Sequence, residues 1–565
     1  MKIGIDFGTS TSEAAFVDEH GKINVVPNHA GELITPSIVY VADDGRVVVG
    51  REAKEMAVLE PGHSVFEVKR MFGQDTKITL REKEYSPADI AAMIIGYLVD
   101  CAKAHCGCEI DSAVITVPAY FTDAQRREVM AAGQACGLEV SRIINEPTAA
   151  SLDYGIDHLR DCKYMLVYDL GGGTLDVTVL ELFEGVVDVK SSCGNNALGG
   201  KDFDQALIDH ITASIKRRDK VDITRDLRAM VRVKLAAEAC KIALSEDIEH
   251  TIELPFLYTD KAGSPAGFSE KVSRTTFETM IADKIDSTQA QIKTVLFDAG
   301  LEAHDIDLVL TVGGSTRIPY VSSFLLRNFG FVPEAASDPD MAVVRGAAIQ
   351  AGVLSGMLPE NAIVLTDICP YSLSTGVLRH SGFLSFIACD TIIPRNTVLP
   401  ALRTKMYTTS YDYQSKVHIT AYQGESEEPG ENLLLNTFAL SGIPRGKAGR
   451  EDINISFEYD LNGILIVSAE VASTGKSATV TVDTSQVGGN LDLSLWGKSP
   501  LAKKYRKIVA KSERLAKIHG SNAADVENAA GKFKRALVLE WDEDIVDRLA
   551  RELSDAIEDL EDSEH

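Results

Sequence analysis

The chain is short of positive charge. Its 565 residues carry 57 Lys and Arg against 83 Asp and Glu, a formal net charge of −26. A duplex-binding surface needs clustered Lys and Arg on the phosphates, so nucleic acid is not an expected partner. A local basic pocket for a nucleotide remains open. Cysteine is also sparse: nine are scattered from Cys101 to Cys389. An odd number without a tight framework suits a reducing compartment. Cys101, Cys106 and Cys108 cluster around His105, but no second close pair follows, so a helix end and a turn at Gly107 are favoured over a metal site. No apolar run reaches the ~18 residues that a membrane span requires. Met1 leads straight into a strand-like run, Ile3 to Phe7, rather than a basic stretch followed by an apolar one, so no leader peptide is expected. Cytoplasm is the expected compartment, with no membrane partner. Neither the Gly-x-x-x-x-Gly-Lys-Ser/Thr pattern nor a dinucleotide fingerprint fits the glycine turns described below.

What is present changes character along the chain. Residues 1–358 mix short apolar runs, helical patterns and glycine turns, which reads as α/β. Helices are predicted over 86–106, 123–137 and 227–245, and strands at Val114–Val117 and Leu308–Val312. Pro359, Glu360 and Asn361 then break an Ala-rich helix, and Ile363, Val364 and Leu365 form a short apolar segment ending at Thr366 and Asp367. Residues 359–367 read either as a linker that docks or as an ordinary edge strand. Over 368–484 the period becomes two: Val417, Ile419 and Ala421 alternate with polar residues, as do Ile453, Ile455, Phe457 and Tyr459. Asn462-Gly463 marks a hairpin. This is an antiparallel β domain. Residues 485–565 are charged and helical, with apolar stripes at Tyr505, Ile508, Val509 and at Phe533, Leu537, Trp541, Ile545, Leu549, Leu553. The tail is too short for a large core of its own and is expected to pack on the β domain.

One device repeats. Ile3-Gly4-Ile5-Asp6-Phe7-Gly8-Thr9-Ser10-Thr11 is a buried strand, an Asp, then a glycine-hydroxyl turn. Leu166 to Asp176, with Asp169, Gly171, Gly172, Gly173 and Thr174, follows the same plan, and Leu308 to Arg317, with Gly313, Gly314 and Ser315, is a third relative. Self-similarity of this kind suggests two related lobes facing a cleft. Glycines let backbone N–H groups approach phosphate oxygens, and Thr9, Ser10 and Thr174 can donate further bonds. A carboxylate cannot sit bare beside phosphate, so Asp6 and Asp169 imply a Mg²⁺ held through water, with Asp176 orienting another water or ion.

These residues resemble the seventy-kilodalton heat-shock chaperone family of the DnaK type. The matches are Gly4 to Thr9, Val117-Pro118-Ala119-Tyr120-Phe121, Arg142 to Ala150, Asp169 to Asp176, Leu198-Gly199-Gly200 and Val312 to Pro319. The resemblance covers nearly the whole chain. It implies an actin-like two-lobed ATPase, a hydrophobic linker, a β-sandwich that holds peptides, and a helical lid. It implies ATP/ADP and Mg²⁺, with K⁺ as a further ion. By match, Lys69 positions the γ-phosphate and the attacking water, although residue pattern alone would make it a solvated helix charge. Glu146 lies near Mg²⁺ and the water, where composition alone would leave it a helix-start acid. Glu238, Lys241 and Ser245 share one helix face and match adenine and ribose contacts. Gly313, Gly314, Ser315 and Arg317 match the turn over the nucleoside, and Asp340 completes the surround. Pro118 and Arg126 match a switch toward the second domain, carried by Ile363, Val364 and Leu365. Arg142, Asn145 and Asp367 fall where the family receives a J-domain partner, and a nucleotide-exchange factor is a further expected partner. In the β domain Val417 and Ile419 match the pocket floor, Tyr407 its wall, and Leu378 and Ser410 the residues arching over a bound, extended client peptide; each also fits plain sandwich packing.

Several positions depart from the family pattern. Thr366 stands where Leu is common, which is expected to weaken docking of the linker. Lys201 replaces the acid after Leu198-Gly199-Gly200, Arg345 stands where Tyr is usual, and Thr375 and Ser410 differ from the usual peptide-site residues. With its short tail, the whole resembles the HscC-like bacterial branch more than the housekeeping member, and is expected to be mainly monomeric. The leading expectation is an ATP-hydrolysing chaperone. A small-molecule kinase on the same lobes is disfavoured by the β domain, and a binding-only or nucleotide-exchange relative by the presence of Asp6, Lys69, Glu146, Asp169 and Thr174.

Overall fold

Ile3, Ile5 and Phe7 have no exposed surface, which makes Lys2–Phe7 a central strand. In the computed structural model it lies in a six-stranded sheet of order Glu139–Asn145, Ser112–Val117, Lys2–Phe7, Thr11–Val17, Ile23–Val25, with Thr35–Pro36 also on Thr11–Val17. A second six-stranded sheet has the order Glu334–Ala335, Leu308–Val312, Tyr164–Leu170, Leu175–Phe183, Val186–Asn195, Val364–Leu365. In each, the central strand is parallel to one neighbour and antiparallel to the other. The structure describes residues 1–74, 76–158, 162–183, 186–336, 338–359, 364–381, 384–482, 496–497, 499, 501–519, 523–538 and 543–562. Two units are distinguished: Met1–Pro370 with the segments Arg395–Pro400 and Tyr459–Ile464, and Tyr371–Pro394 with Ala401–Glu458 and Leu465–His565.

In the first unit the two sheets form two lobes on one plan. The third glycine turn departs from the predicted likeness. Leu308–Val312 does not turn back as a hairpin; it runs through a 3₁₀ turn, Gly314–Arg317, into the helix Pro319–Phe329. Pro319 at the first helical position suits a helix start and not a ladder. By sheet order this segment is the second lobe's counterpart of Ser112–Val117. Helices Glu146–His158 and Ala342–Leu354 pack on each other. A side chain at Gly346 would run into the Ala149 backbone, so the pair needs glycine there. Their small faces join Val114, Ile144, Val167 and Leu310 from both sheets in one core. Helix Pro87–Cys106 carries Ile90, Ile94 and Leu98 into the first lobe's core. It opens on a Ser86–Asp89 capping box and closes at Gly107 with φ 64°, as the cysteine cluster suggested.

The second unit holds two four-stranded sheets, with antiparallel pairing in the hairpins at Leu373–Ser381/Leu384–Ile393 and Leu465–Val471/Lys476–Thr481. Their orders are Leu384–Ile393, Leu373–Ser381, Lys416–Gln423, Leu433–Ser441, and Ala401–Thr408, Asp452–Tyr459, Leu465–Val471, Lys476–Thr481. Ile453, Ile455 and Phe457 are buried, in keeping with their alternation. The tail forms helices Ala502–His519, Ala524–Val538 and Glu543–Asp562. The stripe predicted from Phe533 to Leu553 is divided between the last two, which pack against each other and join Phe533, Leu537, Leu549 and Leu553 with Tyr505 and Val509. Trp541 and the side chain of Ile545 lie outside the described residues. Among the described residues no helix is long and apolar enough to cross a membrane.

Candidate nucleotide site

The predicted glycine turns meet in the first unit. Gly173 approaches Thr9 so closely that a Cβ on it would lie 2.7 Å from the Thr9 hydroxyl; one on Gly172 would collide with Ser10. The Gly8–Thr11 turn of one lobe therefore faces the Gly171–Gly173 turn of the other. The Gly199–Gly200 turn is bound to the same place: Gly200 N–H donates to Gly171 O at 2.9 Å and Lys201 N–H to Gly172 O at 2.8 Å. A Cβ on Gly199 would sit 2.5 Å from Gly173 N. Ser315 Oγ donates to Gly171 O at 2.9 Å, which brings the Gly313–Arg317 turn alongside. This leaves a backbone-lined cradle in which side chains have been removed, the arrangement that lets N–H groups reach an anion.

Four carboxylates and one ammonium interact behind the cradle. Lys69 is buried and donates to Glu146 Oε1 at 2.6 Å and to the Phe7 carbonyl. Its expected alternative, a solvated helix charge, is overturned: Val68–Met71 is a 3₁₀ turn entered through Glu67 in the left-handed region, and it turns Lys69 inward. Burial, then Glu146, pushes Asp6 up to about 6 against the pull of Lys69 and the Thr116 hydroxyl. Burial, then Glu146, pushes Asp176 to about 7, although the Tyr120 and Ala119 N–H groups oppose it. Asp169 is raised well above the carboxylate range by burial and then by Glu146, Asp176 and Asp6. Asp169 Oδ2 and Asp176 Oδ2 are buried and have no hydrogen-bond partner among the described residues. A site with this surplus of unmet negative charge fits a hard divalent cation with oxygen ligands, so the residues present suit Mg²⁺. Thr174 is buried at the same turn, its carbonyl accepting from Gly171 N–H at 3.1 Å.

Helix Leu227–Glu246 supplies a charged wall. Glu238 accepts from Lys54 at 2.6 Å and Lys201 at 2.8 Å; Lys241 pairs with Asp204 at 2.8 Å and donates to Gly200 O. Ser245 is less engaged, its hydroxyl donating back to Lys241 O at 3.2 Å. Arg317 pairs with Asp340 at 2.7 Å and with Asp338 at 3.2 Å, half exposed. Residues not selected from sequence also join the site. Arg70 links Gly173 O to Asp202, and Lys234 pairs with Glu67 at 2.5 Å. Glu13, opposite Asp6 on the neighbouring strand, is buried. Arg70 adjoins Lys69, and Asp202 and Asp204 follow Gly200 closely, so proximity in sequence was the available signal; Lys54 and Lys234 had none.

A continuous set of contacts leaves the cradle. Asp176 accepts from Tyr120 N–H at 3.1 Å, in the turn after Pro118. The buried Arg126 donates to Ala119 O at 3.1 Å and Asn145 Oδ1 at 2.7 Å, and Asn145 donates to both Asp367 oxygens at 2.7 and 2.8 Å. Burial raises Asp367, with Arg126 and Arg142 opposing. Val364 and Leu365 pair in parallel with Val186 and Val187 at the sheet edge, a pairing that a docked linker and an ordinary edge strand share. Ile363 lies outside the described residues. Thr366 makes polar contacts of its own: its hydroxyl donates to Asp188 and accepts from Val189 N–H at 3.2 Å. Arg345, the other unusual residue here, pairs with Asp153 at 2.7 Å.

The second unit distributes the predicted peptide residues over both sheets. Val417 is half-buried and Ile419 buried on one face of Lys416–Gln423, opposite Leu440 and Phe438. Tyr407 donates to Asp390 at 2.7 Å. Exposed Ser410 donates its N–H to Gln414 Oε1 at 2.7 Å. Leu378, paired with Ile387, packs against the helical cluster of the tail.

With two lobes on one plan and a glycine cradle between them, comparison with known proteins is informative. The family model described as Hsp70 protein matches residues 2–565. Proteins named Chaperone protein DnaK from Thermotoga petrophila and Thermotoga maritima are each 42% identical over 482 residues, 85% of this chain and 80% of theirs. The DnaK of Thermosipho melanesiensis is 41% identical over 484 residues, with the same coverage. The cradle, the α/β lobes and the β-rich second unit thus accompany similarity along the whole chain, and the chain belongs to the Hsp70 family.

Proposed function

We propose that this chain is an ATP-dependent chaperone that binds and releases extended hydrophobic peptide segments under the control of slow ATP hydrolysis. The observation that carries the reading is the meeting of two glycine turns from two lobes directly over the Lys69–carboxylate group. In this reading the Gly8–Thr11, Gly171–Gly173 and Gly199–Gly200 backbones bind the polyphosphate. Glu238, Lys241, Ser245, Gly313, Gly314, Ser315, Arg317 and Asp340 surround the nucleoside. Asp6 and Asp169 would hold Mg²⁺ through water, and the bound ion would neutralise phosphate charge; K⁺ would be a further ion. Lys69, held by Glu146 and the Phe7 carbonyl, orients the attacking water and faces the developing charge, and Thr174 and Glu146 complete its surroundings.

The same reading makes residues 1–358 the ATPase domain, 359–367 the linker, 368–484 the peptide domain and 485–565 a lid. Pro118 and Arg126 report nucleotide state toward the second domain through the linker segment 363–365 and Asp367, and a J-domain partner would act at Arg142, Asn145 and Asp367. Val417, Ile419, Tyr407, Leu378 and Ser410 hold the peptide by one apolar pocket and backbone bonds. A buried Leu side chain contributes roughly 1.5–3 kcal/mol, against about 8 kcal/mol for micromolar affinity, so backbone bonds and lid closure supply the rest. The Thr366 and Lys201 exchanges support an HscC-like branch, and a DnaK-type chaperone suits the cytoplasm. Peptide affinity measured with ATP and with ADP tests the reading: it requires weaker, faster-exchanging binding with ATP. Equal affinities would leave a binding-only relative.

A further inference from the structure

Glu238 is held by two lysines that differ in where they are anchored. Its Oε2 accepts from Lys54 at 2.6 Å and its Oε1 from Lys201 at 2.8 Å. Lys54 lies on helix Arg51–Leu59, which packs on the strand Ile38–Val41 of the first lobe. Lys201 and Glu238 lie on helices Gly200–Asp219 and Leu227–Glu246, which pack on each other in the second lobe. The Lys54 bond therefore bridges the lobes, and the Lys201 bond does not. Lys201 is itself fixed: its side chain is 10% exposed and Asp204 stands 3.4 Å away. Burial would push Glu238 up, but Lys201 and Lys54 outweigh it and hold it at about 2, so the carboxylate is charged throughout.

Parting the lobes breaks the Lys54 bond. A buried carboxylate deprived of its cation is strongly penalised, and one that keeps a second cation is not. Lys201 travels with Glu238 and supplies that second cation. We propose that Lys201 is an internal counterion that weakens the Lys54–Glu238 latch and so speeds ADP release from this chain. The inference rests on the nucleotide site proposed above.

The test is the release rate of a fluorescent ADP from the full chain with Mg²⁺, chased with excess ATP, for wild type, Lys201→Gln, Lys54→Gln and the double variant. Lys201→Gln should slow release by about fivefold, the size of a partly screened ion pair. Lys54→Gln should speed it, and Lys201→Gln should change little further in that background. Unchanged or faster release in Lys201→Gln overturns the proposal. So does an undiminished effect in the Lys54→Gln background, which would mean that Lys201 acts on the nucleotide directly. Failure of the wild type to hold the ADP analogue would instead overturn the site reading, and this inference with it. If Lys201→Gln does not fold, Lys201→Met, which keeps the stem, is judged by the same outcomes.

Discussion

Lys69→Ala removes the ammonium that Asp6, Glu146, Asp169 and Asp176 face, without touching the glycine cradle. The Lys69–Glu146 pair is nearly dry, with side-chain exposures of 2% and 12% and a separation of 2.6 Å. Removing one partner of a buried pair costs about 3–5 kcal/mol when the other charge is stranded. Here the loss should be smaller, about 2–3 kcal/mol, because carboxylates already raised toward neutrality can take up protons. It should also be larger at pH 8 than at pH 6, since Asp6 at about 6 and Asp176 at about 7 lose those protons as pH rises between them. Hydrolysis should fall further than binding. Losing one preorganised group at the reacting centre costs roughly 10²–10³ in rate, whereas the backbone cradle should keep ADP affinity within about tenfold. Single-turnover hydrolysis, ADP calorimetry and urea unfolding at both pH values separate these effects. Adding Glu146→Gln should restore stability but not turnover. Equal single-turnover rates for wild type and Lys69→Ala would remove Lys69 from the mechanism, and equal losses of binding and turnover would reduce it to a structural role.

Asp176 at about 7 lies above its ordinary 3.8, so the folded state binds its proton more tightly and this group's contribution to stability falls as pH rises from about 4 to 7. Asp176→Asn should therefore be more stable than wild type at pH 8, by at most a few kcal/mol, and level with it near pH 4. Urea titration without nucleotide reads this, and a pH-independent difference would refute it. Gly199→Ala places a Cβ 2.5 Å from Gly173 N and should lower ADP affinity by about a hundredfold, as measured by calorimetry; unchanged affinity would dissociate that turn from the cradle. Thr366→Val loses the bonds to Asp188 and Val189 and should loosen the edge strand by about 1 kcal/mol, seen as faster hydrogen exchange at 364–367. Unaltered exchange would show that backbone pairing alone holds the segment.

Features governed by neighbours in the chain were legible in the amino-acid order. The alternation of Ile3, Ile5 and Phe7, the capped helix Pro87–Cys106 ending at Gly107, the β periodicity after residue 370 and the glycine turns all follow from local geometry. Resemblance added residues that no spacing selects, Lys69, Glu146 and Arg126 among them. Other features required the folded chain. The burial of Lys69 depends on a left-handed Glu67 and on a glutamate 77 residues away. The grip on Glu238 joins partners 184 and 37 residues distant. The fate of the third glycine turn and the division of the tail's apolar stripe were likewise decided by packing. Periodicity and turn chemistry act over a few bonds and are written in order along the sequence. The pairing of charges across a cleft depends on which surfaces the two lobes bring together, and only the tertiary structure determines that.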